Sequence, residues 1–275
     1  MYTDAHTHWT DLRMPQFEQP GGHAQAEKMM QIMNAKNITT FMEAGVNPEG
    51  WLRQIELQKK YPENFKLALG LHPYFVAENE IQTCEEALDQ LSHIINFASA
   101  IGETGLDFRD QYTKKIEEDD LVDKQILFFE NQIQLAIQCH KPLVLHVVKA
   151  HEDALKILKL WDADLVGGMV HAFNSSYDIA KKYIDLGFLI SVGGAITYPK
   201  NKNLIDAVKK IPLEKMLIES DAPDQAPLDW VNDDGSSLNS SLSVLKVATA
   251  IAEIKGVPLE TVARQTTVNF KTLFR

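Results

Sequence analysis

The chain has little of what would place it in several common classes. Its 275 residues include two cysteines, Cys84 and Cys139, each in a helical stretch with no near partner, which excludes a disulfide framework or a cysteine-rich zinc site. No apolar run approaches the length of a membrane-spanning helix, and the charged, histidine-bearing N-terminus lacks the basic segment and apolar stretch of a signal peptide. A cytoplasmic location without a membrane partner is the expectation. Basic charge is in deficit: 27 Lys+Arg against 38 Asp+Glu leave a formal charge of −11, so there is no broad basic face for long-range capture of nucleic acid. No internal repeat, low-complexity tract or linker stands out, and no glycine-rich phosphate turn follows the first strand. What is present, 45% hydrophobic and 24% charged residues, suits one large α/β domain over residues 1–275.

Short β-rich runs alternate with amphipathic stretches in a regular series. Strands are expected at Tyr2 to His6, Thr39 to Ala44, Lys66 to Leu71, Ser99 to Glu103, Pro142 to Val147, Gly168 to His171, Phe188 to Val192 and Lys215 to Glu219. Helices are expected at Ala24 to Ala35, Glu49 to Lys60, Cys84 to Ala98, Asp120 to Cys139, His151 to Trp161, Ser176 to Leu186 and Leu204 to Lys210. A further helix, Leu242 to Lys255, has Ser240 and Ser241 as candidate caps and Gly256 as its stop, and a short pair of helices closes the chain. Eight strands each followed by a helix, some of them continuous apolar runs such as Pro142 to His146, predict a (β/α)₈ TIM barrel.

In that architecture the active site lies at the C-terminal ends of the strands. His6 and His8 sit two residues apart, so on a strand both rings face one way and can hold a cation from one side. His72 ends strand three, Glu103 strand four, His146 strand five and His171 strand six, while Asp221 follows strand eight. Five of the nine histidines therefore fall on one rim. Four imidazoles and two carboxylates exceed what one catalytic ion takes, which points to two ions. His6, His8 and Asp221 suit the first, because strands one and eight meet where a barrel closes. His146 and His171 suit the second, and Glu103 can bridge. Two ions about 3.5–4 Å apart can share a water, lower its pKa and stabilise attacking and leaving oxygens.

The motifs Asp4-Ala5-His6-Thr7-His8, Gly70-Leu71-His72-Pro73, Ile101 to Phe108, Leu145-His146, His171-Ala172-Phe173, Leu186-Gly187-Phe188, Ile218 to Pro223, Asn269 and Leu273-Phe274 run in order along the chain. Together they resemble the TatD-type metal-dependent hydrolases, or TatD DNases, of the amidohydrolase superfamily. The resemblance implies the metal ligands His6, His8, Glu103, His146, His171 and Asp221, with Glu103 where other superfamily members carry a carboxylated lysine. It also implies that His72 lies in the substrate pocket near the metals. Asp221 would bind metal and relay a proton from the attacking water to the leaving group. His72 either donates to a substrate oxygen or braces the Gly70 to Pro73 turn. Asp107 either orients a ligand histidine or fixes the turn after strand four, and Asp4 either backs the ligands or is simply a buried, partnered carboxylate.

Substrate-facing positions depart from the family. Where relatives have Ser-Arg-Asp-Ala after the strand-five histidine, this chain has Val147 to Ala150, with Val148 in place of the arginine. Lys149 next to it is either a substitute point charge or a solvated lysine. The basic loop of many relatives becomes the acidic Val231 to Asn239, and Ala-Pro-Tyr-Leu after strand eight becomes Ala222-Pro223-Asp224-Gln225, placing Asp224 near the substrate. Arg109, Lys200 and Lys202 lie in rim loops that could attract phosphate. Trp9 and Trp230 could stack on a base or form a hydrophobic lid. The expected activity is hydrolysis of an ester, foremost a TatD-like deoxyribonuclease or phosphoesterase with a metal-bridging hydroxide, Asp221 and Glu103 as catalytic carboxylates, and single-stranded DNA ends or another phosphoester as substrate. A small-molecule amide, lactone or phosphomonoester hydrolase is the alternative, and a non-catalytic metal-binding barrel the third reading. The donors suit Zn, Mn, Fe, Co or Ni, while Mg²⁺ can support activity when weakly bound.

Overall fold

The computed structural model of the chain describes residues 1–14, 22–113, 119–232 and 235–275, with the backbone alone at 22–24 and 119–120. Asp233 and Asp234 of the acidic rim lie outside the described residues. Eight strands, β1 (Tyr2–Thr7), β2 (Ile38–Ala44), β3 (Phe65–Leu69), β4 (Ala100–Asp107), β5 (Leu143–Val148), β6 (Gly168–Val170), β7 (Phe188–Val192) and β8 (Met216–Ile218), form one parallel sheet in sequence order. The sheet curls into a nearly closed barrel, the architecture expected. At the seam the peptide of Asp221 donates to the His6 carbonyl (2.9 Å) and that of His8 to the Ala222 carbonyl (2.8 Å). The buried Asp4 carboxylate reinforces the seam by accepting from the Ser220 amide (2.8 Å) and hydroxyl (2.6 Å).

The helices are α1 (Gly22–Ala35), α2 (Pro48–Lys60), α3 (Pro73–Glu78), α4 (Ile81–Ile94), α5 (Asp110–Thr113), α6 (Asp119–Gln138), α7 (His151–Leu160), α8 (Tyr177–Asp185), α9 (Lys202–Lys210), α10 (Val244–Lys255) and α11 (Leu259–Leu273). The start of α2 is well determined by chemistry: Pro48 occupies the first turn and the Asn47 side chain accepts from the Gly50 amide (3.2 Å), a cap worth about 1 kcal/mol. The start of α10 differs from expectation. Ser240 and Ser241 do not cap it, because the Ser240 hydroxyl donates to Asn232 (2.9 Å) and that of Ser241 accepts from the Trp9 indole (2.9 Å). Instead a 3₁₀ turn, Ser241–Ser243, leads into the helix, which stops as expected at Gly256 in the left-handed region, φ 65.

Strand alternation divides the core. Ala5, Met42, Ala68, Ala100, Val144, Met169 and Leu217 point inward and pack on Phe270 and Phe274 of α11. Outward residues such as Phe41, Leu67, Leu145 and Ile190 pack under the helices. Asn269 fastens α11 to the base of β8 by donating to the carbonyls of Leu213 (2.9 Å) and Met216 (2.7 Å). The end of the barrel at the strand N-termini is thereby covered, and the mouth at the strand C-termini is left for function.

Candidate metal centre

Glu103 occupies the middle of the mouth because β4 and β5 approach too closely for side chains on either flank of it. A Cβ at Gly102 (φ +155) would lie 2.5 Å from the Val144 oxygen, and one at Gly105 (φ +137) 2.0 Å from the His146 oxygen. Around the buried Glu103 carboxylate the strands deliver four imidazoles and a second carboxylate. Oε2 lies 3.2 Å from His6 Nε2 and 3.6 Å from His8 Nε2, and Asp221 Oδ1 lies 3.5 Å and 3.4 Å from the same two nitrogens. Oε1 lies 3.0 Å from His146 Nδ1 and 2.8 Å from His171 Nε2, which are themselves 3.0 Å apart. Bonds of about 2.0–2.1 Å to a tetrahedral ion put neighbouring donors about 3.3 Å apart, so both spacings suit metal ligation.

The outer hydrogen bonds decide which ring nitrogens carry protons. His8 Nδ1 faces the Ala44 carbonyl at 2.9 Å, and a carbonyl only accepts, so Nδ1 holds the proton and Nε2 offers its lone pair. His146 Nε2 donates to Asp107 Oδ2 at 3.1 Å, which frees Nδ1. His171 turns Nδ1 towards Glu219 Oε1, 3.7 Å away and beyond hydrogen-bond distance, so no outer hydrogen bond fixes its tautomer. Glu103 Oε1, His146 Nδ1 and His171 Nε2 lie within 3.0 Å of one another. Lone pairs at that range repel unless a cation or a proton lies between them. Both nitrogens of His6 and Glu103 Oε2 are also buried without a hydrogen-bond partner, the signature of donors aimed at an ion.

Among the described residues three sets of side chains could hold an ion: His6, His8 and Asp221; His6, Glu103 and His171; and His72, Glu103 and His146. The third conflicts with the His72 tautomer. His72 Nδ1 accepts from the Tyr74 amide at 2.9 Å and caps α3, so its proton sits on Nε2, 3.4 Å from Glu103 Oε1. The ring therefore braces its turn and points an N–H into the mouth at the same time. Burial, then the neighbouring His146, push its pKa down to about 4 against the pull of Glu103, and it is neutral at physiological pH.

Carboxylates respond in the opposite direction. Burial alone would raise Glu103, but the imidazoles of His171, His6 and His72 hold it well below the usual carboxylate range. Burial also opposes ionisation of Asp221, yet the His8 hydrogen bond and the charges of His171 and His6 bring it down to about 2. Asp221 sits at φ 53, a conformation costly for a residue with a side chain, and its amide donates a hydrogen bond to the His6 carbonyl that holds it there. Its Oδ2 accepts from Gln225 Nε2 at 2.7 Å. Asp107, raised by burial, is lowered overall by His146 and by Arg109.

Other predicted residues are placed as follows. Arg109 is bound to Asp107 through Nε (2.9 Å to each oxygen) and Nη2, so it braces the His146 partner instead of facing solvent phosphate. Asp224 is exposed and paired with Arg13 at 2.8 Å, and Lys149 is exposed at the end of β5 with φ 57. Lys200 and Lys202 are exposed on the rim. Trp9 does not reach substrate: it is buried against Phe41 and Phe65, with ring centroids 5.1 Å away in both cases, and neither face is open. Trp230 is half-buried and donates to the Leu238 carbonyl at 3.3 Å. Two carboxylates were not anticipated. Glu43 accepts from the Trp9 (2.6 Å) and Thr10 (3.1 Å) amides and shapes the turn after His8. Glu219 accepts from the Ala172 amide (2.5 Å) and the Ser191 hydroxyl behind His171. An acid at the end of an otherwise apolar strand, as in Phe41-Met42-Glu43 and Met216 to Glu219, was the available signal.

Two hollows adjoin the centre. One of about 240 Å³ is lined by His8 and residues after β2 and β3. The other, of about 230 Å³, is lined by Asn174, Tyr198, Asn201 and Gln225. Among the described residues no helix is long and apolar enough to cross a membrane.

Comparison with known proteins agrees with this layout. The model of the family described as TatD related DNase matches residues 3–275. The uncharacterized metal-dependent hydrolase YabD of Bacillus subtilis (strain 168) is 31% identical, covering 100% of this chain and 99% of its own. An uncharacterized metal-dependent hydrolase of Buchnera aphidicola subsp. Acyrthosiphon pisum is 34% identical over 80% of each chain. The crystal structure of YJJV, a TatD homolog from Escherichia coli K12, superposes with a TM-score of 0.82 at 26% identity, covering 99% and 97% of the two chains.

Proposed function

The chain belongs to the TatD related DNase family of metal-dependent hydrolases, and on that premise we propose that it is a two-metal phosphodiesterase cleaving single-stranded DNA. The observation that supports the two-ion reading is the close approach of Glu103 Oε1, His146 Nδ1 and His171 Nε2 beside a separate group formed by His6, His8 and Asp221. His6, His8 and Asp221 would hold one ion, His146 and His171 the other, with one oxygen of Glu103 turned to each. Divalent ions bound there would acidify a water and offset charge on the phosphoryl oxygens.

The remaining chemistry belongs to the chain. Asp221 keeps Oδ2 turned to Gln225, which fixes the orientation of the carboxylate, and Asp221 accepts the proton of the attacking water. The same proton passes to the leaving oxygen as the P–O bond breaks. His72 Nε2–H, now directed at Glu103, is placed to donate to a non-bridging oxygen. Lys149 offers an outlying positive charge to flanking phosphates, while Asp224 acts through Arg13. One observation favours a second reading, a hydrolase of small neutral molecules: the hollow beside Gln225 presents amides and a phenol and no cation.

Turnover of bis-p-nitrophenyl phosphate and of single-stranded DNA with Mn²⁺, Mg²⁺ or Zn²⁺, both lost in Glu103→Ala, is the expected result. Activity confined to monoesters, lactones or amides would transfer the site to the second reading. Two firmly bound metals without any turnover would leave a binding protein.

A further inference from the structure

Arg13, Arg53 and Arg109 stand around the mouth, and two of them are already neutralised. Arg13 is gripped by Asp11 (Nε 3.0 Å, Nη2 2.8 Å) and by Asp224 through bonds of 2.9 and 2.8 Å. Arg109 is held by Asp107. Arg53, on α2, has no ion pair among the described residues, and its Nε is buried without a hydrogen-bond partner. Arg53 is half-buried, with only its Nε shut off from water, so the rest of the guanidinium is open to an arriving anion that would supply the missing counter-charge.

Its surroundings say where such an anion would lie. Arg53 shares the hollow of about 240 Å³ with His8 of the metal centre, Asn47, Gln54 and Tyr74. The Tyr74 hydroxyl accepts from Asn47 Nδ2 at 3.2 Å, so its own hydrogen is available to a ligand. Burial, above all, pushes the Tyr74 pKa up to about 12, which keeps the phenol a donor. Two carboxylates share the hollow. Asp11 is engaged by Arg13, and Glu49, one helical turn before Arg53, is exposed and forms no ion pair with it among the described residues. Val148, at the end of β5, presents no donor from the other side of the mouth.

We propose that this hollow is an anion subsite in which Arg53 and the Tyr74 hydroxyl hold a second phosphate of the substrate, next to the one being cleaved. The inference rests on the phosphodiesterase reading and adds the direction in which the strand leaves the centre: past His8 and along α2. A planar guanidinium matches phosphate in a fork that an ammonium cannot reproduce.

The test compares thymidine dinucleotide, with one phosphate, and thymidine trinucleotide, with two. In the wild-type protein the trinucleotide is expected to have a KM roughly tenfold lower, the size of one charge-assisted contact. In Arg53→Gln that ratio should collapse towards one, and in Arg53→Lys it should be intermediate, with melting temperatures recorded to confirm that both fold. Equal KM values in the wild type, or an undiminished ratio in Arg53→Gln, would overturn the subsite. If Arg53→Gln does not fold, Arg53→Lys decides alone, and a wild-type ratio there overturns the proposal. Should the wild type cleave neither nucleotide, the phosphodiesterase reading fails, and anisotropy of labelled trinucleotide judges the subsite separately. Binding weakened several-fold in Arg53→Gln supports it, and equal binding refutes it.

Discussion

Replacing Asp107 by Asn should empty one half of the centre and leave the other filled. The substitution keeps the shape of the side chain but offers His146 an amide in place of a carboxylate. In the wild type, Asp107 Oδ2 accepts from His146 Nε2 at 3.1 Å and also from Arg109, so the proton on Nε2 is secured and Nδ1 stays free. An asparagine leaves one acceptor oxygen where the carboxylate had two, so His146 competes for it with the charged Arg109, whose donors reach both oxygens in the wild type. Where the amide nitrogen faces the ring, two donors oppose each other, and the imidazole relieves this by moving its proton to Nδ1. That nitrogen lies 3.0 Å from both Glu103 Oε1 and His171 Nε2, where a ligand lone pair is required. Loss of such a supporting carboxylate costs roughly 10–100-fold in metal affinity, equivalent to about 1.4–2.8 kcal/mol. The ion held by His6, His8 and Asp221 touches neither group and should remain. Metal content after dialysis, read by mass spectrometry with a competing chelator, is expected to fall from two ions per chain to one. Excess metal should restore both occupancy and turnover. Two ions retained at wild-type affinity would show that the tautomer does not depend on Asp107, and the proton assignment across the centre would have to be redrawn.

Further outcomes follow from other parts of the fold. Gly105→Ala places a Cβ 2.0 Å from the His146 oxygen at φ +137, so a loss of about 3 kcal/mol or more is expected in denaturant titration, and a midpoint equal to the wild type would refute the close approach of β4 and β5. Trp9→Phe removes the indole bond to Ser241 and leaves a gap beside Phe41, so stability should fall by about 1–3 kcal/mol with the KM for single-stranded DNA unaltered; a raised KM at full stability would return Trp9 to the substrate. His151 is lowered by burial beside Tyr183, so the unfolded chain binds its proton more readily than the folded one and this contribution to stability is lost as pH falls through about 6.5. Stability measured at pH 7.5 and 5.5 should therefore drop less on acidification in His151→Phe than in the wild type, and identical drops would contradict the assignment.

What was legible in the chain follows from where burial acts on both faces of a segment. A parallel strand under helices must be apolar throughout, so a histidine or acid at its end is conspicuous, and His6, His8, Glu103, His146 and His171 were visible for that reason. The short helices α3 and α5, of 6 and 4 residues, complete too little of a helical period to register. β4 runs on to Asp107, beyond the expected end at Glu103, because Gly102 and Gly105 let β5 approach closely and pair with it that far. Trp9 was misplaced because its position is set by Glu43, 34 residues away, whose carboxylate catches the Trp9 amide and helps turn the indole inward. Asp107 presented two readings and makes both contacts, accepting from the Arg109 amide at 3.0 Å and from His146, while His72 caps its turn and turns Nε2 towards Glu103.

The buried carboxylates explain why such a centre calls for cations and cannot be only a packed core. Asp4, Glu43, Glu103, Asp107, Glu219 and Asp221 are all buried. Four of them find fixed donors: Asp4 takes the amide and hydroxyl of Ser220, Glu43 two amides and a threonine hydroxyl, Glu219 an amide and a serine hydroxyl, and Asp107 a guanidinium. Glu103 has imidazoles alone, and Asp221 adds only the Gln225 amide. An uncompensated buried charge costs several kcal/mol, and an imidazole offsets it only when protonated; against burial, the facing carboxylates do raise the pKa of His8 (Asp221 and Glu103), of His146 (Asp107 and Glu103) and of His171 (Glu103). Divalent ions held there would satisfy both carboxylates and the four rings in place of protons. The same reasoning separates Arg53 from its neighbours: of the three arginines around the mouth, Arg13 and Arg109 are held by carboxylates, and Arg53, which has no such partner among the described residues, is the one whose counter-charge would come with the substrate.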